Sequence, residues 1–181
     1  MTRPEVAFWA LLAATAAVFL AMAFWSVPRL EDHASGDLPF DVRLLGYSYE
    51  EARDYLARLG REGRIFYLNV QWRLDSVFPA LLALTLGFAL PWLYPGAGPW
   101  GRAVLIVLAY AGAVFDYVEN YHIASMMIAG PDLLTQDTVA AASRASILKW
   151  VFDGLAFMVC LIGVLRLVSG AGRRRKRSVN S

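Results

Sequence analysis

The stretch Ala103-Val104-Leu105-Ile106-Val107-Leu108-Ala109-Tyr110-Ala111-Gly112-Ala113-Val114-Phe115-Asp116-Tyr117-Val118-Glu119-Asn120 is apolar as far as Phe115 and then carries two carboxylates and an amide. The run continues to Ala129, where Gly130-Pro131 ends it. A bilayer crossing takes about 20 predominantly apolar residues in a helix, so residues 103–129 are long enough to span. Ionisable groups inside lipid cost several kcal/mol each and usually face a bundle interior or a wet cavity. The stretch therefore reads as a transmembrane helix that becomes polar towards one end.

Its neighbours in the chain show the same pattern in reverse. The next apolar run, about 138–168, opens with Ser143, Arg144, Ser146, Lys149 and Asp153, and Asp137 is a plausible N-cap. The preceding run, about 65–93, opens with Asn69, Gln71, Arg73, Asp75 and Ser76. Pro79 and Pro91 lie inside that run, which a membrane helix tolerates when its neighbours bond the freed backbone. Pro95-Gly96-Ala97-Gly98-Pro99 is a tight turn to the next helix. Successive spans run in opposite directions, so all three polar ends meet on one side. A fourth span, about 6–27, precedes them. Arg3 and Ala21-Met22-Ala23 also fit a cleaved signal peptide, but the run is long and Phe24-Trp25 suits an interfacial belt. An uncleaved helix is the preferred reading.

Composition agrees: 58% of residues are hydrophobic and 18% charged, as in membrane proteins. Residues 1–181 form a single membrane domain. The expected fold is an all-α membrane protein, a four-transmembrane-helix bundle with a short amphipathic helix in its long outer loop. Residues 170–181 form a basic tail, with Arg173, Arg174, Arg175, Lys176 and Arg177 in one block. That block reads as a positive-inside anchor or a contact with anionic membrane lipids. Nucleic acid is not expected as a partner, because no folded basic surface surrounds the block. The single cysteine, Cys160, lies in an apolar run and reads as packing. Two histidines and one cysteine give no metal-binding spacing, and no metal or cofactor is expected.

The basic tail places the C-terminus in the cytoplasm. Four spans then place the N-terminus there too, and leave residues 29–64 outside. The expected location is a bacterial inner (plasma) membrane, multi-pass, with both termini cytoplasmic. The outer loop carries six arginines beside eight acidic residues, which complicates the charge rule. Within it, Ser48 and Glu51 form a capping box, Ala52, Tyr55, Leu56 and Leu59 follow at helical spacing, and Gly60 is a natural stop. A helix over about 49–59 is predicted, covering the bundle mouth.

Helical rise gives the depth of each charge. Asp116 lies about 20 Å above Ala103 and Asp153 about 22 Å above Val168, both inside a core about 30 Å thick. Asp75, Glu119 and Lys149 lie near the outer boundary, so Asp116 is expected to lose more hydration than Glu119. Ala109, Gly112, Asp116, Glu119 and Asn120 share one helical face, and Ser146, Lys149 and Asp153 share another. Asp116, Glu119, Lys149 and Asp75 are the catalytic candidates, with Asn120, Ser146, Asp153 and Arg73 as binding candidates. Lys149 and Asp153 are also spaced to pair along one helix. His122 falls off the polar face and reads as interfacial.

Gly46-Tyr47-Ser48-Tyr49-Glu50-Glu51-Ala52, Asp75-Ser76-Val77-Phe78-Pro79, Asp116-Tyr117-Val118-Glu119-Asn120 and Ser143 to Lys149 resemble segments of uncharacterised bacterial four-pass integral membrane proteins. That resemblance covers most of the chain and implies a fold, but no activity. The layout is also loosely similar to the four-helix fold of sterol isomerases and sigma-2-type receptors, which gather acidic residues in a membrane cavity. Their motifs do not align here, and no functional residue is carried over.

Three function classes remain. The leading one binds or transforms a lipid-like ligand in an outward-facing polar cavity, by carboxylate and lysine acid–base chemistry. The second is a small proton- or ion-coupled transporter, as a homo-oligomer; no broken inverted repeat supports it. The third is a non-catalytic accessory subunit, in which the charges are a structural network. There is no phosphate-binding glycine loop, H-E-x-x-H or G-x-S-x-G.

Overall fold

The computed structural model describes the backbone of residues 2–179 and the side chains of residues 2–169. The side chains of the basic block Arg173–Arg177 lie outside the described residues. Four long helices dominate: α1 (Arg3–His33), α2 (Tyr49–Leu93), α3 (Pro99–Ala129) and α4 (Gln136–Val179). All four are long and apolar enough to cross a membrane, and no strand occurs among the described residues.

Two apolar cores hold them. The first lies in the middle of the bundle, where Leu82, Leu86 and Leu90 of α2 meet Leu105 and Ala109 of α3 and Ala156 of α4. Helices α3 and α4 pack most extensively, because α3 offers small residues there; a methyl group added at Gly112 would overlap the Asp153 carboxylate. α1 is peripheral. Its apolar residues surround the helix rather than forming a stripe, and most are exposed, as on a lipid-facing span. It docks on α2 through a Thr15–Thr85 hydroxyl pair at 2.9 Å and through Phe19 against Phe78.

The second core caps one end. Leu30, Phe40, Tyr47, Tyr55, Leu56 and Leu59 pack on Ile123, Met126 and Met127 of α3 and on Val139 and Ala142 of α4. The connection between α1 and α2 is therefore folded back onto the bundle. It is also shorter than the 29–64 loop expected from charge, because α1 runs on to His33 and α2 begins at Tyr49. Charge marks where a helix leaves lipid, and does not end the helix. At the start of α2 the Ser48 hydroxyl accepts from the Glu51 amide while the Glu51 carboxylate accepts from the Ser48 amide. The helix breaks at Gly60, whose φ of 65° and ψ of −174° are non-helical, and resumes in line with the span. Gly60 thus divides two helical segments, residues 49–59 and the span, that meet at a kink. Asp137 is not the cap of α4: the helix starts at Gln136, and the Thr135 hydroxyl accepts from the Thr138 amide at 3.4 Å.

Two features shape the helices where the cores meet. A π-turn occupies Met22–Ser26 in α1 and another Tyr67–Gln71 in α2, and the two pack together. About two helical turns on, Pro79 cannot donate to the Asp75 carbonyl. Asn120 Nδ2 of α3 donates to that oxygen instead, at 2.9 Å, and the Tyr117 hydroxyl donates to the Ser76 carbonyl at 2.9 Å. Two bonds from α3 thus satisfy the backbone at the α2 proline.

Candidate functional site

Between the two cores lies a polar layer. Lys149 of α4 projects towards α3 and contacts the Glu119 carboxylate at Oε2, with Asp116 Oδ1 4.0 Å away. Its ammonium also donates to the Asp41 carbonyl at 3.2 Å. Asp116 Oδ1 accepts from Asn120 Nδ2 at 3.1 Å, and the same amide reaches the Asp75 backbone. Gln71 Nε2 bridges two further carboxylates, at 2.8 Å to Asp75 Oδ2 and 3.1 Å to Asp41 Oδ2. The Tyr67 hydroxyl donates to Asp41 Oδ1 at 3.0 Å. Tyr67 and Gln71, four residues apart, share one face of α2 and meet the same carboxylate.

Four carboxyl groups, Asp41, Asp75, Asp116 and Glu119, thus share the layer with one ammonium, and all five residues are buried. Several acceptors in the layer have no partner: Gln71 Oε1, Glu119 Oε1 and Asn120 Oδ1. The Tyr47 hydroxyl, also buried, is unpartnered too. Burial first, then the Glu119 and Asp41 carboxylates, push the Tyr47 phenol far above its ordinary range, so it is a neutral donor. The layer therefore offers hydrogen-bond acceptors in excess and one cation, with two unpartnered phenols, Tyr47 and Tyr55, in the cap beside it. Among the described residues, no group of three or more His, Cys, Asp or Glu side chains is arranged to hold a metal ion.

A segment of the α1–α2 connection, residues 38–47, straps this layer closed. Phe40–Val42 forms a single 3-10 turn that presents Asp41 inward. Arg43 stabilises the strap from outside: its guanidinium donates twice to the Leu38 carbonyl, at 2.8 and 3.0 Å, and lies over the Phe40, Tyr47 and Tyr55 rings. Two serines of α4 fasten it. Ser146 Oγ donates to the Arg43 carbonyl at 3.3 Å, and Ser143 Oγ accepts from the Tyr47 amide at 2.9 Å.

The structure brings together Asp75, Asp116, Glu119, Asn120 and Lys149 of the residues expected at the site. Ser146 stands beside them, but bonded to the strap. Arg73 is not there: it is exposed on the opposite side of α2 from Asp75, because two residues along a helix turn a side chain by about 200°. Asp153 does not pair with Lys149; the lysine turns across to α3, and Asp153 lies half-buried against Gly112. Glu119 is 0% exposed and Asp116 8%, because the strap and cap cover the outer turn that helical rise alone leaves near headgroup water. The polar groups are accordingly closed over rather than open to the outside. His122 is apart from the layer, half-buried beside the Tyr121 ring.

Asp41, Tyr67, Gln71 and Tyr47 are the members of the layer that the sequence did not assign to the site. Asp41 is one of many acidic residues in a polar connection, with no periodicity to reveal its direction. The one available signal was Pro39-Phe40 before it, a turn with an aromatic to bury. A scan against protein-family models, a search of curated proteins and a search of solved structures each find no match to this chain.

Proposed function

We propose that the chain is a multi-pass inner-membrane protein whose buried polar layer is a binding and acid–base site for a lipid-like small molecule. The observation that supports this most is the acid excess around Lys149. One ammonium balances one carboxylate. Removing further charged groups from water without partners costs several kcal/mol each, so the surplus needs protons or a donor-bearing guest. A bundle stabilised by ion pairs alone would have no use for three extra carboxyl groups and a set of unpartnered acceptors. Asp116, Glu119 and Lys149 are the groups placed to exchange a proton with such a guest, and Asn120 and Gln71 hold the carboxylates in position.

The membrane setting rests on length as well as hydropathy. From Trp72 to Trp92, both exposed, α2 rises about 30 Å, the thickness of a hydrocarbon core. Indole rings favour the two interfaces. On this reading the polar layer lies about one helical turn inside the Trp72 boundary, both termini are cytoplasmic, and the strap faces outside. Membership of the bacterial four-pass group that the sequence resembles belongs to the same proposal.

Lipid extraction and native mass spectrometry of the detergent-purified protein test the reading. A bound apolar molecule on the wild type, lost from Asp116→Asn without a fall in melting temperature, is the expected result. A ligand-free wild type together with a strongly destabilised Asp116→Asn contradicts it. The two side-chain clusters Asp41–Gln71–Asp75 and Asn120–Asp116–Lys149–Glu119, joined where Asn120 bonds the Asp75 backbone carbonyl, favour a second reading, proton transfer coupled to transport. Proton uptake by proteoliposomes that disappears in Asp116→Asn would replace the first reading with the second.

A further inference from the structure

We propose that the strap over the polar layer is itself a membrane-contacting element: the Leu44-Leu45 turn sits among the acyl chains of the leaflet on that side. This rests on the membrane reading above.

The turn is the most exposed apolar feature of the cap, with Leu44 58% and Leu45 93% accessible. Leucines so placed in water would lose about 25 cal/mol for each Å² left unburied. Nothing about the turn is loose. Arg43 and Tyr47, on either side of it, are fastened to Ser146 and Ser143 of α4. Gly46, at φ +75°, lies so close to α4 that an added Cβ would meet Ser143 Oγ and lie 3.0 Å from Ile147 Cδ1. Only glycine both adopts that backbone and fits there. The turn is thus clamped against the turn of α4 whose Ile147, Leu148 and Val151 are exposed and apolar.

Its level in the membrane follows independently. The strap's Asp41 is held by Gln71, the residue preceding the interfacial Trp72, and by Lys149, two residues after Ile147. The Leu44-Leu45 turn therefore lies at the boundary on the side where α4 already faces lipid, and continues that apolar surface. Its partner is the hydrocarbon of the bilayer. The consequence for the site is direct: the element that covers Asp41, Lys149 and Glu119 has lipid on its outer side, so an apolar ligand reaches them sideways from the leaflet.

Spin labels at single cysteines, on a Cys160→Ser background in phosphatidylcholine–phosphatidylglycerol vesicles, read this depth. Leu45→Cys is compared with Val151→Cys on the lipid face of α4 and with Arg58→Cys on the exposed polar face of α2. Power saturation gives the ratio of collisions with apolar oxygen to collisions with a water-soluble nickel chelate. The proposal requires the Leu45 ratio to stand clearly above that at Arg58 and towards that at Val151, which lies about 6 Å deeper by helical rise. A Leu45 ratio matching Arg58, with Val151 still in lipid, overturns it and leaves the membrane reading intact. A water-like ratio at both Leu45 and Val151 overturns both. Leu45 is nearly fully exposed, so the label disturbs no packing; Leu44→Cys repeats the measurement one residue away.

Discussion

Lys149 is the residue on which the polar layer turns, because it alone supplies positive charge to Asp116 and Glu119. Removing one partner of a buried pair leaves an uncompensated charge and costs about 3–5 kcal/mol. Lys149→Met should therefore lower stability by that order, and adding Glu119→Gln should recover part of it. Thermal melting of the two single variants and the double variant in detergent gives the coupling; additive losses would show that the contact is not energetically real. At this scale the sequence was only partly legible. Asp75, Asp116, Glu119, Asn120 and Lys149 were found because helical periodicity assigns a face. Arg73 was misplaced because depth was read without facing. Asp41 was invisible because a connection has no period.

Among the elements, α2 is the one whose irregularities serve the site. Its π-turn carries Tyr67 and Gln71, which both bond Asp41, and its proline frees the Asp75 carbonyl for Asn120. An orphaned buried carbonyl costs about 1–3 kcal/mol, so Asn120→Ala should destabilise by that amount. Pro79→Ala restores an amide donor to the same carbonyl, and in that background the Asn120→Ala penalty should shrink. Equal penalties in both backgrounds would mean that Asn120 acts only through Asp116. The prolines and the apolar run were readable in the sequence, as was the break at Gly60. The π-turns were not, since no residue type marks an added residue in a helical turn. The helix ends were misjudged for a related reason: Arg29–His33 and Arg61–Arg64 are polar yet remain helical.

For the whole molecule, three polar helix ends and a strap make one closed layer between two apolar cores. The proposed orientation predicts that reporter fusions after Arg64 and at Ser181 report outside and cytoplasm respectively. A cytoplasmic signal from the Arg64 fusion would move the polar layer to the other leaflet. The central claim is that the carboxylate excess is kept for a bound molecule, at the expense of stability. Functional groups of that kind are ones whose neutralisation stabilises the fold. Asp75 is the cleanest position, because its side chain meets the Gln71 amide and Asn retains an oxygen to accept from it. The decisive measurement is the melting temperature of Asp75→Asn beside the wild type, with bound small molecule quantified in both. A layer kept for a ligand gives an unchanged or higher melting temperature with reduced ligand occupancy; a markedly lower melting temperature with no change in bound molecules would show instead that the layer is structural.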